Sequence, residues 1–267
     1  MSKPTSLAQL RRVTQPPEVR LRANAEHWTA SLYLRDLSPY VTWVLLRTPV
    51  SANGVTALMI LTGWATAASL LIPGIWGPVV AVILGQLQML IDCCDGEVAR
   101  WQERYSPRGV FLDKIGHYTA ESVIPIALGI RAAGWPATPL FDDGWGTSPW
   151  LLLGVLLALL VVYNKALNDV VHVSRAAAGL DRLADTPEVG VPQGGTLRRL
   201  RSATRFLPFQ RAYHSVELTI LAFLAAIVDA VLGDLTGTRV LLAALVLLAP
   251  LAIAGHIAAI LTSRRLR

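Results

Sequence analysis

The fold of this chain is limited above all by six long apolar stretches, which are residues 53–72, 77–99, 109–133, 149–171, 213–232 and 239–261. An α-helix needs about 20 apolar residues to cross the hydrocarbon core of a bilayer. The second and third stretches also carry ionisable residues, most of which gather toward one end, so we count them as spans. The sequence therefore predicts an all-α membrane protein with six transmembrane helices.

The composition agrees with a membrane protein. The 267 residues are 53% apolar and only 16% charged, whereas a soluble domain carries about 25% charged residues. So much apolar side chain excludes a disordered chain. Two adjacent cysteines, Cys93 and Cys94, exclude a disulfide-stapled secreted scaffold. We expect no cleavable signal peptide, because the first 50 residues hold several arginines and no long apolar core.

The positions of the basic residues predict the orientation in the membrane. If the N-terminus is cytoplasmic, every Lys and Arg except Arg131 and Arg239 falls on the cytoplasmic side. Lys and Arg gather in cytoplasmic loops, so both termini are predicted to be cytoplasmic. The net charge of +6 then belongs to these loops. No nucleic acid is expected as a partner.

The same segmentation predicts three parts. Residues 1–52 form a cytoplasmic and interfacial segment, residues 53–262 a transmembrane domain with a cytoplasmic loop at about 172–212, and residues 263–267 a basic tail. Residues 21–47 have the pattern of an amphipathic helix that lies on an anionic leaflet. Pro39 is expected to break this helix into two pieces.

The candidate chemistry lies between residues 92 and 117. Asp92 and Asp95 are three residues apart, and Asp113 and His117 are four apart, so each pair shares one helical face. Ionisable residues inside a span are functional by default. Three carboxylates cannot all stay ionised in a low-dielectric site without a cation. Oxygen ligands favour a hard divalent ion, Mg²⁺ first and Mn²⁺ second, and such ions commonly bind substrate phosphates.

Several residues between 92 and 117 also have purely structural interpretations. Cys93 and Cys94 are expected to be small packing residues. Glu97 and Glu103 are expected to be interfacial charges that pair with nearby arginines. His117 has two interpretations: a hydrogen-bonded packing residue or a functional base.

The spacing D-x2-D-G-x2-A-R-x8-G-x3-D resembles the signature of the CDP-alcohol phosphotransferase family. Its fixed positions are Asp92, Asp95, Gly96, Ala99, Arg100, Gly109 and Asp113. His117 stands where the family has a fourth aspartate. The run RTPVSANGVTAL, residues 47–58, is similar to the entry of the family's first helix.

This resemblance implies a transferase of phospholipid biosynthesis. Such an enzyme moves a substituted phosphate from a CDP-linked donor, usually CDP-diacylglycerol, to an alcohol and releases CMP. It implies Mg²⁺ or Mn²⁺ as cofactor, with Asp92, Asp95 and Asp113 as metal ligands, and a homodimer. The resemblance leaves the acceptor open among the inositol, inositol phosphate and glycerol phosphate classes. The residues implied for the CDP moiety are Asn53, Thr56, Gly96, Ala99, Arg100, Ser106 and Gly109.

The family's fourth aspartate is both a metal ligand and the proposed general base, so the resemblance implies that His117 acts in catalysis with Asp113. His117 is therefore also a candidate fourth metal ligand, although imidazole is a poor ligand for Mg²⁺. It is a competent base, with an ordinary pKa of about 6.5. We therefore expect His117 to deprotonate the acceptor hydroxyl. Glu121 is the second candidate for this base.

If the acceptor carries a phosphate, Lys165, Arg175 and Arg211 are candidate clamps. Basic residues at a lipid headgroup boundary explain them equally well. The prediction is a multi-pass integral membrane enzyme with its active site on the cytoplasmic side. Two alternatives stay open: a non-catalytic membrane protein that binds CDP-lipid and metal, and a small-solute transporter. A transporter would need polar residues near the middle of several spans.

Overall fold

The computed structural model describes residues 4–20, 27–141, 147–181, 183 and 211–266, and within them the regular structure is helical. The α-helices are α1 (Leu7–Thr14), α2 (Pro17–Arg20), α3 (Arg35–Leu45), α4 (Ala52–Ser69), α5 (Trp76–Gln102), α6 (Pro107–Ala133), α7 (Pro149–Ala177), α8 (Ser215–Leu232) and α9 (Thr236–Thr262). A π-helical turn, Ala30–Leu34, runs directly into α3. Most of the predicted cytoplasmic loop at 172–212 lies outside the described residues.

The six predicted spans correspond to helices α4 to α9. Among the described residues, α5, α7, α8 and α9 are long and apolar enough to cross a membrane. The helix α4 has only 18 residues and carries several polar side chains, and α6 carries four ionisable residues in its first half. The structure thus supports an all-helical membrane protein with four candidate spans. The count of six stays a prediction.

The six long helices pack as a ring in the order α4, α5, α8, α9, α7, α6. Their shared core contains Ile124 and Leu128 of α6, Leu157 of α7 and Leu242 of α9, all fully buried. Large apolar side chains also point outward, and Val231 and Leu247 are 79% and 74% exposed. An apolar outer surface of this kind suits contact with lipid.

Glycines allow the ring helices to approach closely. A Cβ on Gly63 of α4 would lie 2.7 Å from Cβ of Ala120 in α6, and one on Gly116 of α6 would lie 2.6 Å from Cγ1 of Ile60 in α4. A Cβ on Gly129 of α6 would lie 2.8 Å from the Cα of Gly154 in α7. Small residues let helix backbones come together in membranes, so α6 lies tightly between α4 and α7.

Local signals turn the chain back between α5 and α6. Helix α5 ends at Gln102, followed by Glu103 in the left-handed conformation (φ 52°). The Ser106 hydroxyl caps α6 by accepting from the backbone N–H of Gly109 at 3.0 Å. Pro107 then occupies the first turn, where its missing N–H costs nothing. The start of α6 therefore lies beside the end of α5.

The N-terminal helices α1 and α3 pack against α5. The expectation that Pro39 breaks the amphipathic segment was wrong, because Pro39 lies inside α3. Proline leaves the carbonyl four residues earlier without a helical donor. That carbonyl, on Arg35, instead accepts a hydrogen bond from the Gln15 side chain at 2.6 Å. Residues 21–26 of the predicted amphipathic segment lie outside the described part.

The two basic residues that the orientation argument leaves on the outer side both bind backbone carbonyls. Arg131 is buried and donates to the carbonyls of Ile72 and Gly74 at 3.2 and 2.8 Å. Arg239 donates to the carbonyl of Ala132 at 3.0 Å. Both thus satisfy carbonyls at the ends of helices or in a connecting turn.

Candidate active site

Two carboxylates and one imidazole converge between the C-terminal half of α5 and the N-terminal half of α6. His117 Nε2 lies 3.0 Å from Asp92 Oδ1 and 3.5 Å from Asp113 Oδ1. The side chains of Asp92 and His117 are each 23% exposed, and that of Asp113 is 42% exposed. Partial exposure leaves this cluster open to a ligand while it limits contact with water.

Asp95 lies one turn further along α5 and is held by α4. Its Oδ2 atom accepts a hydrogen bond from the Thr56 hydroxyl at 2.8 Å, and the same hydroxyl lies 3.1 Å from the carbonyl of Ala52. One ligand atom from each of Asp92, Asp113 and His117 lies within 4.8 Å of the other two. Asp95 is outside this tight group.

The tight group fits a divalent cation. Opposite oxygen ligands of Mg²⁺ are separated by about 4 Å, twice the metal–oxygen distance. The ligand atoms of the group all lie within 4.8 Å of one another, so the group is compact enough to surround one ion. Carboxylate oxygens suit Mg²⁺ and Mn²⁺, and an imidazole nitrogen is accepted more readily by Mn²⁺ than by Mg²⁺.

The small residues of the signature lie under polar groups. The terminal guanidinium nitrogens of Arg100 are 3.1 and 3.3 Å from the place that a Cβ on Gly96 would take. A Cβ on Gly109 would lie 3.2 Å from Oδ1 of Asn53. Glycine at these two positions keeps the surface beside Asp95 flat and lets the first turns of α4 and α6 meet. Ala99 and Asn53 are half-buried, whereas Ser106 is exposed.

The three candidate acceptor clamps lie on two elements, Lys165 and Arg175 on α7 and Arg211 just before α8. Lys165 Nζ pairs with Glu121 Oε2 at 2.8 Å. Arg175 donates to the backbone carbonyls of Asp181 and Arg265. Arg211 is half-buried in a short 3-10 turn before α8. Two of the three therefore bind groups of the protein itself.

Two acidic residues have partners that the sequence did not reveal. Glu97 is fully buried and binds side chains from the N-terminal segment, so the expectation of an interfacial charge was wrong. Glu217 accepts hydrogen bonds from His27 Nε2 at 3.0 Å and from Trp28 Nε1 at 2.7 Å. The position of Glu97, inside a span and two residues beyond Asp95, was the only available signal.

The cysteine prediction agrees with the geometry. Cys93 and Cys94 are free and buried, 3% and 0% exposed. They pack on the side of α5 that faces the N-terminal helices, because Cys94 Sγ lies 3.6 Å from the carbonyl of Ser38. Neither cysteine belongs to the group of possible ligands among the described residues.

Comparison with known proteins tests the resemblance. Residues 49–178 match the family described as CDP-alcohol phosphatidyltransferase. No curated protein matches the chain significantly. The matched range runs from just before α4 to the end of α7 and holds every signature residue. Members of this family transfer substituted phosphate groups. Residues 49–178, which carry the signature side chains of α5 and α6, are thus similar to the CDP-alcohol phosphatidyltransferase family.

Proposed function

We propose that this protein transfers a phosphatidyl group from a CDP-linked lipid to an alcohol, releases CMP and acts in phospholipid synthesis. The convergence of Asp92, Asp113 and His117 carries the proposal. The reaction needs negative charge neutralised at a pyrophosphate and a base beside the acceptor hydroxyl. The two carboxylates of the cluster offer ligands for a cation that neutralises the pyrophosphate, and the imidazole offers a base for the hydroxyl.

Mg²⁺ or Mn²⁺, when bound, would neutralise the pyrophosphate and the leaving CMP. Asp92 and Asp113 would hold the ion through oxygens not used by His117. Asp95 would join them from the next turn of α5, with its Oδ2 atom oriented by Thr56. Because Asp113 is the most exposed of the cluster, it faces the direction from which a ligand arrives.

His117 is suited to accept the proton of the acceptor hydroxyl. An ionised carboxylate only accepts hydrogen bonds, so Nε2, which faces both Asp92 and Asp113, carries the hydrogen. The other ring nitrogen, Nδ1, is then the basic one. A carboxylate that fixes the tautomer of a histidine in this way is the usual arrangement of a histidine base.

For the CDP moiety, we propose the signature positions that line the same region. Arg100 lies over Gly96, and Asn53 lies against Gly109. Thr56 lies at the start of the second turn of α4, Ser106 caps α6, and Ala99 lies one turn beyond Asp95. Backbone N–H groups at the start of α6 favour a negatively charged phosphate.

The acceptor is proposed only as an alcohol, with the inositol, inositol phosphate and glycerol phosphate classes as candidates. Lys165, Arg175 and Arg211 remain predicted clamps for an acceptor phosphate. The cytoplasmic position of the site, the homodimer and the division at residues 52 and 262 are likewise proposals. They rest on the distribution of basic residues and on the family.

A turnover assay tests the proposed function. The purified protein in lipid nanodiscs receives labelled CDP-diacylglycerol and a panel of alcohols, with Mg²⁺, Mn²⁺ or EDTA. We expect CMP release that depends on both an alcohol and the metal. Asp92→Asn and Asp113→Asn should abolish it, and His117→Ala should lower it by about 10²- to 10⁴-fold, the usual contribution of a general base.

Three results would contradict parts of this proposal. CMP release that persists in EDTA would exclude the metal's role. Full turnover by His117→Ala would exclude that residue as the base. Metal-dependent binding of CDP-lipid without CMP release with any alcohol would instead favour a non-catalytic binding protein, in which His117 replaces the family's last aspartate because the chemistry is lost.

A further inference from the structure

We infer that the C-terminal end of α1 positions Arg100 for the CDP moiety, and that Gln15 and Glu97 are the positioning residues. The inference rests on the proposed function, because it assigns Arg100 to the nucleotide. It goes beyond that proposal by giving a specific role to an N-terminal segment that precedes the family match at residue 49.

Arg100 is held from one side by a helix end. Thr14 is the last residue of α1, and the final carbonyls of a helix lack helical donors. The Thr14 carbonyl accepts a hydrogen bond from Arg100 Nε at 2.5 Å. Both terminal nitrogens of the same guanidinium lie close over Gly96. The bond to Thr14 therefore fixes the plane of the guanidinium next to the signature glycine.

Gln15 fixes the end of α1 against α5. Its side chain is buried, and Nε2 donates to Glu97 Oε1 at 2.8 Å and to the Arg35 carbonyl at 2.6 Å. The Arg35 carbonyl is available because Pro39 has no N–H to offer it. The last residue of α1 and the capping residue that follows it thus both contact α5, Thr14 through Arg100 and Gln15 through Glu97.

Glu97 joins the three elements. Its Oε1 atom accepts from the Ser38 hydroxyl at 2.5 Å, its Oε2 atom accepts from the Thr42 hydroxyl at 2.7 Å, and the carboxylate is fully buried. Residues three apart share a helix face, so Glu97 and Arg100 face α1 together. A buried charge is costly unless several donors satisfy it, so this carboxylate accepts only a narrow arrangement of α1 and α3 around α5.

Binding of CDP in the presence of Mg²⁺ or Mn²⁺, measured by calorimetry on the full chain in detergent, tests the inference. Gln15→Leu should weaken CDP binding by about 10-fold or more, the value of one misplaced hydrogen bond to a charged group. Arg20→Ala is the matched control, since it removes only an exposed ion pair with Asp36 in the same N-terminal region. The control should bind CDP as the wild type does.

A double-mutant cycle separates positioning from general damage to the fold. Arg100→Ala should weaken CDP binding by itself, and adding Gln15→Leu to it should cause no further loss. Equal losses in the two backgrounds would overturn the inference, because the effect would not pass through Arg100. Metal affinity should stay unchanged in Gln15→Leu.

A second variant keeps the test decisive if Gln15→Leu does not fold. Glu97→Gln preserves the size of the side chain and should weaken CDP binding in the same direction, again only when Arg100 is present. If Gln15→Leu and Glu97→Gln bind CDP as the wild type does, this inference is overturned and the proposed function is not. A wild-type protein that binds no CDP would overturn the proposed function and this inference together.

Discussion

A single buried carboxylate, that of Glu121, holds two basic side chains from different helices. Lys165 of α7 lies 2.8 Å from Oε2, and His214, just before α8, lies 3.2 Å from Oε1. The Glu121 side chain is only 6% exposed. These contacts make Glu121 a counter-ion that joins three elements, which is a different role from the reserve base that its position one turn beyond His117 suggested.

Loss of this carboxylate should destabilise the protein strongly. Glu121→Gln leaves Lys165 without its counter-ion, and removing one partner of a buried pair costs about 3–5 kcal/mol. Denaturant unfolding in detergent would measure the change. The double variant Glu121→Gln/Lys165→Met, which removes both charges, should recover much of the loss. Equal stability of Glu121→Gln and the wild type would show that the pair contributes little.

At the scale of elements, the site depends on how closely α6 lies between its neighbours. Gly63 and Gly116 bring α4 and α6 together near the carboxylates, and Gly129 and Gly154 bring α6 and α7 together at the far end. The last pair places backbone against backbone, so no flexible side chain is available to move aside. The separation of α6 and α7 is therefore fixed by two residues without a Cβ.

An alanine at Gly129 should push α6 and α7 apart. Its Cβ would lie 2.7 Å from the carbonyl oxygen of Trp150 and 2.8 Å from the Cα of Gly154, and overpacking of this kind costs about 1–3 kcal/mol. Gly255→Ala is the control, because a Cβ there meets nothing within 4 Å. Thermal unfolding in detergent should show a loss for the first variant and none for the second.

At the scale of the whole molecule, charge and apolar surface together set the orientation. The ring of helices exposes large apolar side chains to its surroundings. The loop between α5 and α6, at the end of the bundle nearer to the candidate site, carries Arg104, and Arg108 follows in the first turn of α6. The loop between α6 and α7 lies at the opposite end of the bundle and contains no Lys or Arg. The positive-inside rule then predicts a cytoplasmic site.

Cysteine labelling tests this orientation. A membrane-impermeant maleimide should label Ala137→Cys, in the exposed loop after α6, in intact cells. It should label Arg104→Cys, in the exposed loop after α5, only after the cells are permeabilised. The native thiols of Cys93 and Cys94 are buried and should give little background. The reverse labelling pattern would place the site on the outer side.

The sequence by itself predicted the six long helices, α4 to α9, because their apolar lengths and their caps are local properties. It also placed Asp113 and His117 on one face of α6, since a spacing of four residues fixes that relation in any helix. The meeting of His117 with Asp92 followed from the signature and the short turn between α5 and α6.

Only the tertiary structure decided which groups meet across long separations. Glu97 binds Gln15 across 82 positions, and Glu217 binds His27 across 190. No periodicity encodes such pairs, because the packing of separate helices determines them. The same packing kept Pro39 inside a helix, since Gln15, directly after α1, binds the carbonyl that the proline leaves without a donor. Local spacing thus determined which functional residues share a face of each helix. The packing of separate helices determined which polar groups contact them.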